Sequence, residues 1–329
     1  MISRVAGSCF WLHRYVERTE NLARLVRVNR SFVLDVPLAD HDRWLPLIIV
    51  CGERERFAEL VGDAATVPDQ AVEDYLVWDV NNPVSLVESV RWARENARTT
   101  REVISLEMWE TLNDLWNYLK RGSGRRAYRA DRDAFYKRVK DQADLFLGLA
   151  ESTLLDDEPL AFMRLGMWLE RAMQTARMLD VKHHMLGPAR RGGESPVEVA
   201  QWSALLYSCG AAEAYAKRGP RSAAPQGVAI ASFLLGEPLL PRSVLGCLDR
   251  AAATLTRLRE EGESGLGGEA AAHLDALRAR LRSRPLEEIV AGGIHAELTH
   301  LIDETSVVAG HVERAYFDPD VEAQRALLT

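Results

Sequence analysis

A segment near the start of the chain, L-H-R-Y-V-E-R-T-E-N-L-A-R-L from Leu12, returns in altered form as L-G-M-W-L-E-R-A-M-Q-T-A-R-M from Leu165. Identities fall at Leu12/Leu165, Glu17/Glu170, Arg18/Arg171, Ala23/Ala176 and Arg24/Arg177, and Tyr15/Trp168, Val16/Leu169 and Asn21/Gln174 are chemically matched. Further along, Pro83-Val84-Ser85-Leu86 answers to Pro241-Arg242-Ser243-Val244, in the same order and at nearly the same offset, 158 residues against 153. A repeat of this kind constrains the fold more than any local pattern, because each copy is a unit that completes its core against its neighbour. The 329 residues are expected to form two tandem, pseudo-symmetric multi-helix repeats, 1–158 and 159–329, packed around a shared core as one compact unit.

The fold class is read as all-α, since helical periodicity dominates and period-two alternation is scarce. Ser3 opens a first helix running to about Asp35, with Pro37 limiting it. Trp44 to Leu60 reads as a second helix and Val84 to Arg121 as one long helical region, closed by Gly122-Ser123-Gly124. Asp131–Leu155 and Leu160–Met185 follow, then a basic loop carrying Arg190 and Arg191. Helices over Val197–Lys217, Ala229–Leu235, Arg242–Glu261, Gly268–Arg282 and Pro285–Ala315 complete the reading, with Gly262 to Gly268 as a connection.

On a helix each residue advances about 100°, so Glu17 and Arg18 cannot share a face. Projection places Arg18 inside an apolar arc, between Leu25 and Trp11, with Glu17 at its edge and His13, Glu20, Arg27 and Arg30 on the outward side. Arg171 repeats this among Met178, Trp168, Leu179 and Leu165. An arginine in an apolar arc needs an acceptor, because an unpaired buried charge costs several kcal/mol. In a pair of repeats the economical solution is reciprocal, Glu17 with Arg171 and Glu170 with Arg18. Such pairs either fix helix register or line a pocket for a carboxylate or phosphate, groups that guanidinium forks suit. The candidate positions are Arg14, Glu17, Arg18, Asn21, Arg24, Glu170, Arg171, Gln174 and Arg177. A second candidate is the polar stripe Arg94, Arg98, Arg101 and Ser105, either a solvated face or an anion-recognition surface.

The opening M-I-S-R-V-A-x-x-x-x-W-L-H-R-Y-V-E-R-T-E-N-L-A-R-L resembles that of the alpha-E family, an α-helical family named for its Glu-Arg motif, and W-D-V-N-N-P-V-S-L, A-R-E-N-A-R, L-G-M-W-L-E-R and E-P-L-L-P-R-S-V resemble its other signatures. His13 stands where Gly is usual in that family, and Met167 and Met173 where polar residues are usual. The resemblance implies association with an ATP-grasp ligase, a transglutaminase-like protein and a proteasome-like hydrolase, and participation in peptide ligation or tagging. It implies no established catalytic residue.

Other chemistry is sparse. There is no P-loop, no G-x-S-x-G elbow and no G-x-G-x-x-G after a strand, and no cofactor is expected. Cys9, Cys51, Cys209 and Cys247 form no C-x-x-C pair and suggest neither disulfides nor zinc. Glu297-x-x-His300 has the spacing of ferritin-like di-metal sites, with Asp180-x-x-His183 as an imperfect second half, but the two occupy unmatched positions in the repeats and no metal is expected. His183-His184 suits a helix C-terminus. The formal charge of -7 argues against binding nucleic acid or an anionic membrane, and the absence of a signal peptide and of long apolar runs points to the cytoplasm. The functions left open are a non-catalytic binding or scaffold subunit, with a peptide as a candidate ligand, and an enzyme acting on peptide or amino-acid carboxylates.

Overall fold

The computed structural model describes residues 3–35, 43–186, 195–218, 226–261 and 266–317, and among these the regular structure is helical with no strand. The first half holds α1 (Ser3–Asp35), α2 (Leu45–Cys51), α3 (Arg54–Leu60), α4 (Asp69–Trp78), α5 (Leu86–Thr99), α6 (Leu106–Lys120), α7 (Ser123–Ala130) and α8 (Arg132–Thr153). The second holds α9 (Glu158–Leu186), α10 (Pro196–Ser208), α11 (Ala212–Arg218), α12 (Gln226–Gly236), α13 (Val244–Glu261), α14 (Gly268–Arg282), α15 (Leu286–Ala291) and α16 (His295–Tyr316). No helix among the described residues is long and apolar enough to cross a membrane. The Arg190–Arg191 loop, the side chains of His183 and His184, residues 262–265 of the Gly262–Gly268 connection, and the tail lie outside the described residues.

Four helices expected from the sequence are each two in the structure. Val197–Lys217 is broken between Ser208 and Ala212, where Gly210 takes a φ of 60°, and Pro285–Ala315 between Ala291 and His295, where Gly293 takes a φ of 103°. Trp44–Leu60 is broken at Gly52, whose φ of 77° is left-handed and whose N–H closes the end of α2 on the Ile48 and Ile49 carbonyls. Glycine reaches that conformation without a Cβ penalty. Val84–Arg121 is likewise two helices: α5 ends at Thr99, and Ser105 caps the start of α6 by accepting from the Met108 N–H. A serine oxygen that satisfies a first-turn N–H starts a helix rather than continuing one.

The two long helices pack side by side at the centre. α1 is flanked by α5 and α8 as well as α9, and α9 by α13 and α16 as well as α1. Gly166 sets their separation, because a Cβ there would stand 2.2 Å from the Phe10 carbonyl oxygen. Backbones this close leave no room for solvent at the Phe10–Gly166 crossing. From Val5 to Val26 almost every residue of α1 is buried. His13 and Glu20, expected on an outward face, are among them, at 1% and 2% exposure. α8 covers that side, its Phe146 ring 5.8 Å from the His13 imidazole. Amphipathic projection presumes that the polar side is the wet one, but over this stretch the partly exposed residues are Gly7, Ser8, Trp11, Tyr15 and Arg18, on the side read as apolar.

Candidate functional site

Buried carboxylates on the α1–α9 seam organise two guanidinium clusters. In the first, Arg18 Nε donates to Glu170 Oε1 at 2.8 Å and Arg18 Nη2 to Oε2 at 3.1 Å, while Arg14 Nε reaches Oε2 at 3.0 Å. Gln174, one turn along α9, donates to Oε1 at 3.0 Å. In the second, Arg171 Nε and Nη2 grip Glu17 at 2.9 and 2.7 Å, and Arg242 Nη1 adds a contact at 2.5 Å. Arg242 also bridges to Glu20 at 2.7 Å, and Glu20 holds Arg24 through 3.1 and 3.0 Å bonds. Asn21 Oδ1 accepts from Arg24 at 2.9 Å. The reciprocal pairs expected from the helical projection, Glu17 with Arg171 and Glu170 with Arg18, both form.

Adjacent residues on one helix therefore serve different clusters, because a 100° step sends Glu17 to one side of the seam and Arg18 to the other. Burial alone pushes the carboxyls up, but the arginines outweigh it: Arg171 and Arg242 hold Glu17 at about 2, and Arg18 and Arg14 hold Glu170 at about 2. Burial lowers Arg24, with Arg242 repelling it as the next cause, while Arg242 itself is raised, the attraction of Glu17 and Glu20 exceeding the cost of its burial. The Glu17 and Glu170 carboxyls are thereby held well below the usual carboxylate range. The cysteines are no better placed as nucleophiles: all four are unpaired thiols, and burial pushes each up to about 12.

The clusters differ in openness. Beside Glu170 lies a cavity of about 330 Å³ lined by six of the sequence candidates, Arg14, Arg18, Asn21, Glu170, Gln174 and Arg177. Leu22 and Leu25 of α1, Met173 of α9, the chain from Val50 to Glu53 at the end of α2, Val84 and Ser306 of α16 complete its wall. Glu17, Arg171 and Arg24 belong instead to the closed cluster. Arg242 and Glu20 were not among the sequence candidates, although Pro241-Arg242-Ser243-Val244 carried a signal in its match to Pro83-Val84-Ser85-Leu86.

The other candidates sit elsewhere. Arg94 donates to Asn113 at 3.0 Å and to Glu95 at 3.1 Å, and Arg98 turns back to Glu95 at 2.9 Å. Arg101 lies beyond the end of α5, its guanidinium 4.6 Å from the Trp109 ring centroid. With Ser105 capping α6, these residues do not form the continuous helical stripe expected. Glu297 is gripped by Arg280 at 2.7 and 2.9 Å, and Asp180 meets His295 at 2.6 Å. Among the described residues no three His, Cys, Asp or Glu side chains group as a metal site would require.

Three curated proteins resemble this chain: the uncharacterised protein Mb2597 of Mycobacterium bovis and MT2643 of Mycobacterium tuberculosis CDC 1551, each 28% identical over 321 residues, and Rv2567 of Mycobacterium tuberculosis H37Rv at 27%. Each match takes in 91% of this chain and 35% of the relative, so the chain spans about a third of the length of the relatives it matches. No solved structure matches it. A family model described as a predicted alpha-helical domain with a conserved ER motif matches residues 1–317. That span takes in both Glu-Arg pairs of the seam, Glu17-Arg18 and Glu170-Arg171, and the chain belongs to the Alpha-E family.

Proposed function

We propose that this chain is a non-catalytic binding or scaffold subunit, working beside an ATP-grasp ligase and a transglutaminase-like protein in peptide ligation or tagging. The observation that carries the reading is the commitment of Glu17 and Glu170 to internal arginines. Each carboxylate accepts from at least two cationic groups and is held at about 2, so the most prominent acidic groups of the seam serve cohesion rather than proton transfer. The lengths of the relatives support the same reading, since each carries a similar unit within a chain of which it makes up 35%. The ligase and transglutaminase-like partners rest on the family resemblance alone.

A second reading, an enzyme acting on peptide or amino-acid carboxylates, is favoured by the cavity beside Glu170. One experiment separates the two. The purified chain is incubated with ATP, magnesium, amino acids and short peptides, alone and with its ATP-grasp partner, and products are followed by mass spectrometry. The subunit reading expects product only with the partner present, together with measurable association of the two proteins. Turnover by the isolated chain, lost in Glu170→Gln while the fold persists, would establish the enzyme.

A further inference from the structure

Aligning the two copies at their 153-residue offset sets Arg24 against Arg177, Asn21 against Gln174 and Glu20 against Met173. The second limb of the repeat sets Arg242 against Val84. In the closed cluster Glu20 supplies the carboxylate for Arg24, and Arg242 fills the adjoining space. In the open one both are missing. Met173 offers no carboxylate to Arg177, and Val84 leaves unfilled the volume that a guanidinium occupies on the other side. Among the described residues no acceptor hydrogen-bonds the Arg177 guanidinium, which lies in the wall of the cavity. Gln174 Oε1, on the turn of α9 preceding Arg177, is buried without a donor.

We propose that the cavity between α1, α2 and α9 is a binding site for a small carboxylate carrying an N–H donor on the adjacent carbon, the group shared by a free amino acid and the last residue of a chain. The ligand carboxylate takes the place that Glu20 fills for Arg24, forming a two-point bond to Arg177, a geometry that guanidinium favours. Its N–H supplies the donor that Gln174 Oε1 lacks. Arg14, Arg18 and Arg177 against Glu170 and Glu53 make the lining net positive, which suits an anion. Glu53 is also engaged by Arg56 at 3.5 Å and by the Tyr75 hydroxyl at 2.8 Å. The donor missing at Gln174 Oε1 favours a ligand that brings an N–H over phosphate. A cavity of about 330 Å³ stands at the small end of the roughly 300–1,000 Å³ range of ligand pockets, which suits a chain end rather than a folded partner. The proposal deepens the binding-subunit reading by naming what is bound.

The test is calorimetric titration of the full chain with N-acetylalanine, alanine, N-acetylalanine amide and inorganic phosphate. N-acetylalanine or alanine binds, the preferred one identifying the source, while the amide and phosphate bind at least tenfold more weakly. Arg177→Gln weakens the carboxylate about tenfold or more, as loss of a charged hydrogen-bond partner does. Met173→Glu supplies an internal carboxylate and abolishes binding, and it keeps the test alive if Arg177→Gln does not fold. Arg98→Gln, on an exposed side chain of α5, leaves binding unchanged. Equal binding of acid and amide, tighter binding of phosphate, indifference to both cavity variants, or no binding by any probe overturns the site. Association with the ATP-grasp partner is measured on the same variants: its persistence when carboxylate binding fails leaves the subunit reading standing.

Discussion

At the scale of single residues, Glu170 is the most heavily shared group on the seam. Both Arg14 and Arg18 depend on it, and among the described residues neither has another carboxylate. Removing it strands two cations in the seam, whereas Arg18→Ala leaves Glu170 still neutralised by Arg14. Breaking a buried pair so that a charge is left unpaired costs roughly 3–5 kcal/mol. Glu170→Ala is therefore expected at that level and Arg18→Ala at about half of it, with urea denaturation as the measurement. His13 gives a separate pH signature. Burial lowers it to about 4 from an ordinary 6.5, and among the described residues neither ring nitrogen has a hydrogen-bond partner. The unfolded chain binds the His13 proton below 6.5 and the folded chain only near 4, so stability falls with acid across that window. Glu17 and Glu170 add a second loss as pH drops from their ordinary 4.5 towards 2, because the folded carboxylates resist protonation. His13→Leu should raise the urea midpoint and remove the loss between 6.5 and 4 while leaving the lower one. An unchanged profile between 6.5 and 4 would show His13 to be hydrated. The reciprocal partners were legible in sequence because a 100° step and a repeat suffice to pair them. The burial of His13 and Glu20 was not, since it is decided by α8, which joins α1 only through tertiary packing.

Helices show a related division. The extent of α1 could be read from periodicity and a downstream proline, but the breaks at Gly52 and Thr100–Ser105 could not be separated from the apolar pattern that runs across them. A glycine in a helical stretch signals either a stop or a close approach, and only packing tells which. Two glycines make the distinction testable. Gly148, exposed on α8, has nothing within 4 Å of the place a methyl would occupy, so Gly148→Ala should stabilise by about 0.5–1 kcal/mol through helix propensity alone. Gly166→Ala gains the same propensity but drives a methyl into the Phe10 carbonyl at 2.2 Å. Backbone cannot rotate away as a flexible side chain would, so α1 and α9 must separate and the seam bonds lengthen. A net loss of about 1–3 kcal/mol is expected, the usual cost of overpacking. Thermal unfolding of the two variants side by side is the measurement, and an equal response would remove Gly166 from the role of spacer.

For the molecule as a whole, the order of packing follows the order of the sequence matches. α1 leads the first half and is packed by α5 and α8, with α6 lying against both of these; α9 leads the second and is packed by α13 and α16, with α14 against both. We propose on this basis, and on the in-order sequence matches, that residues 1–158 and 159–329 are related by a pseudo-two-fold running through the α1–α9 seam. The charge pairing adds a consequence that symmetry alone would not require. Glu17 in the first half is neutralised by Arg171 and Arg242 of the second, and Glu170 in the second by Arg14 and Arg18 of the first. Separated, each half would expose a seam face of mixed apolar and charged side chains and lose the countercharges that make burial of those charged groups tolerable. Residues 1–158 expressed alone are therefore expected to lack a cooperative thermal transition, and so are 159–329. Co-expressed, the two fragments should associate and recover a single transition, which Glu170→Ala weakens. Circular dichroism melts of each fragment and of the purified pair decide the matter. A cooperative transition in either fragment alone would mean that its core is complete without the seam, and would divide the chain into two independent domains.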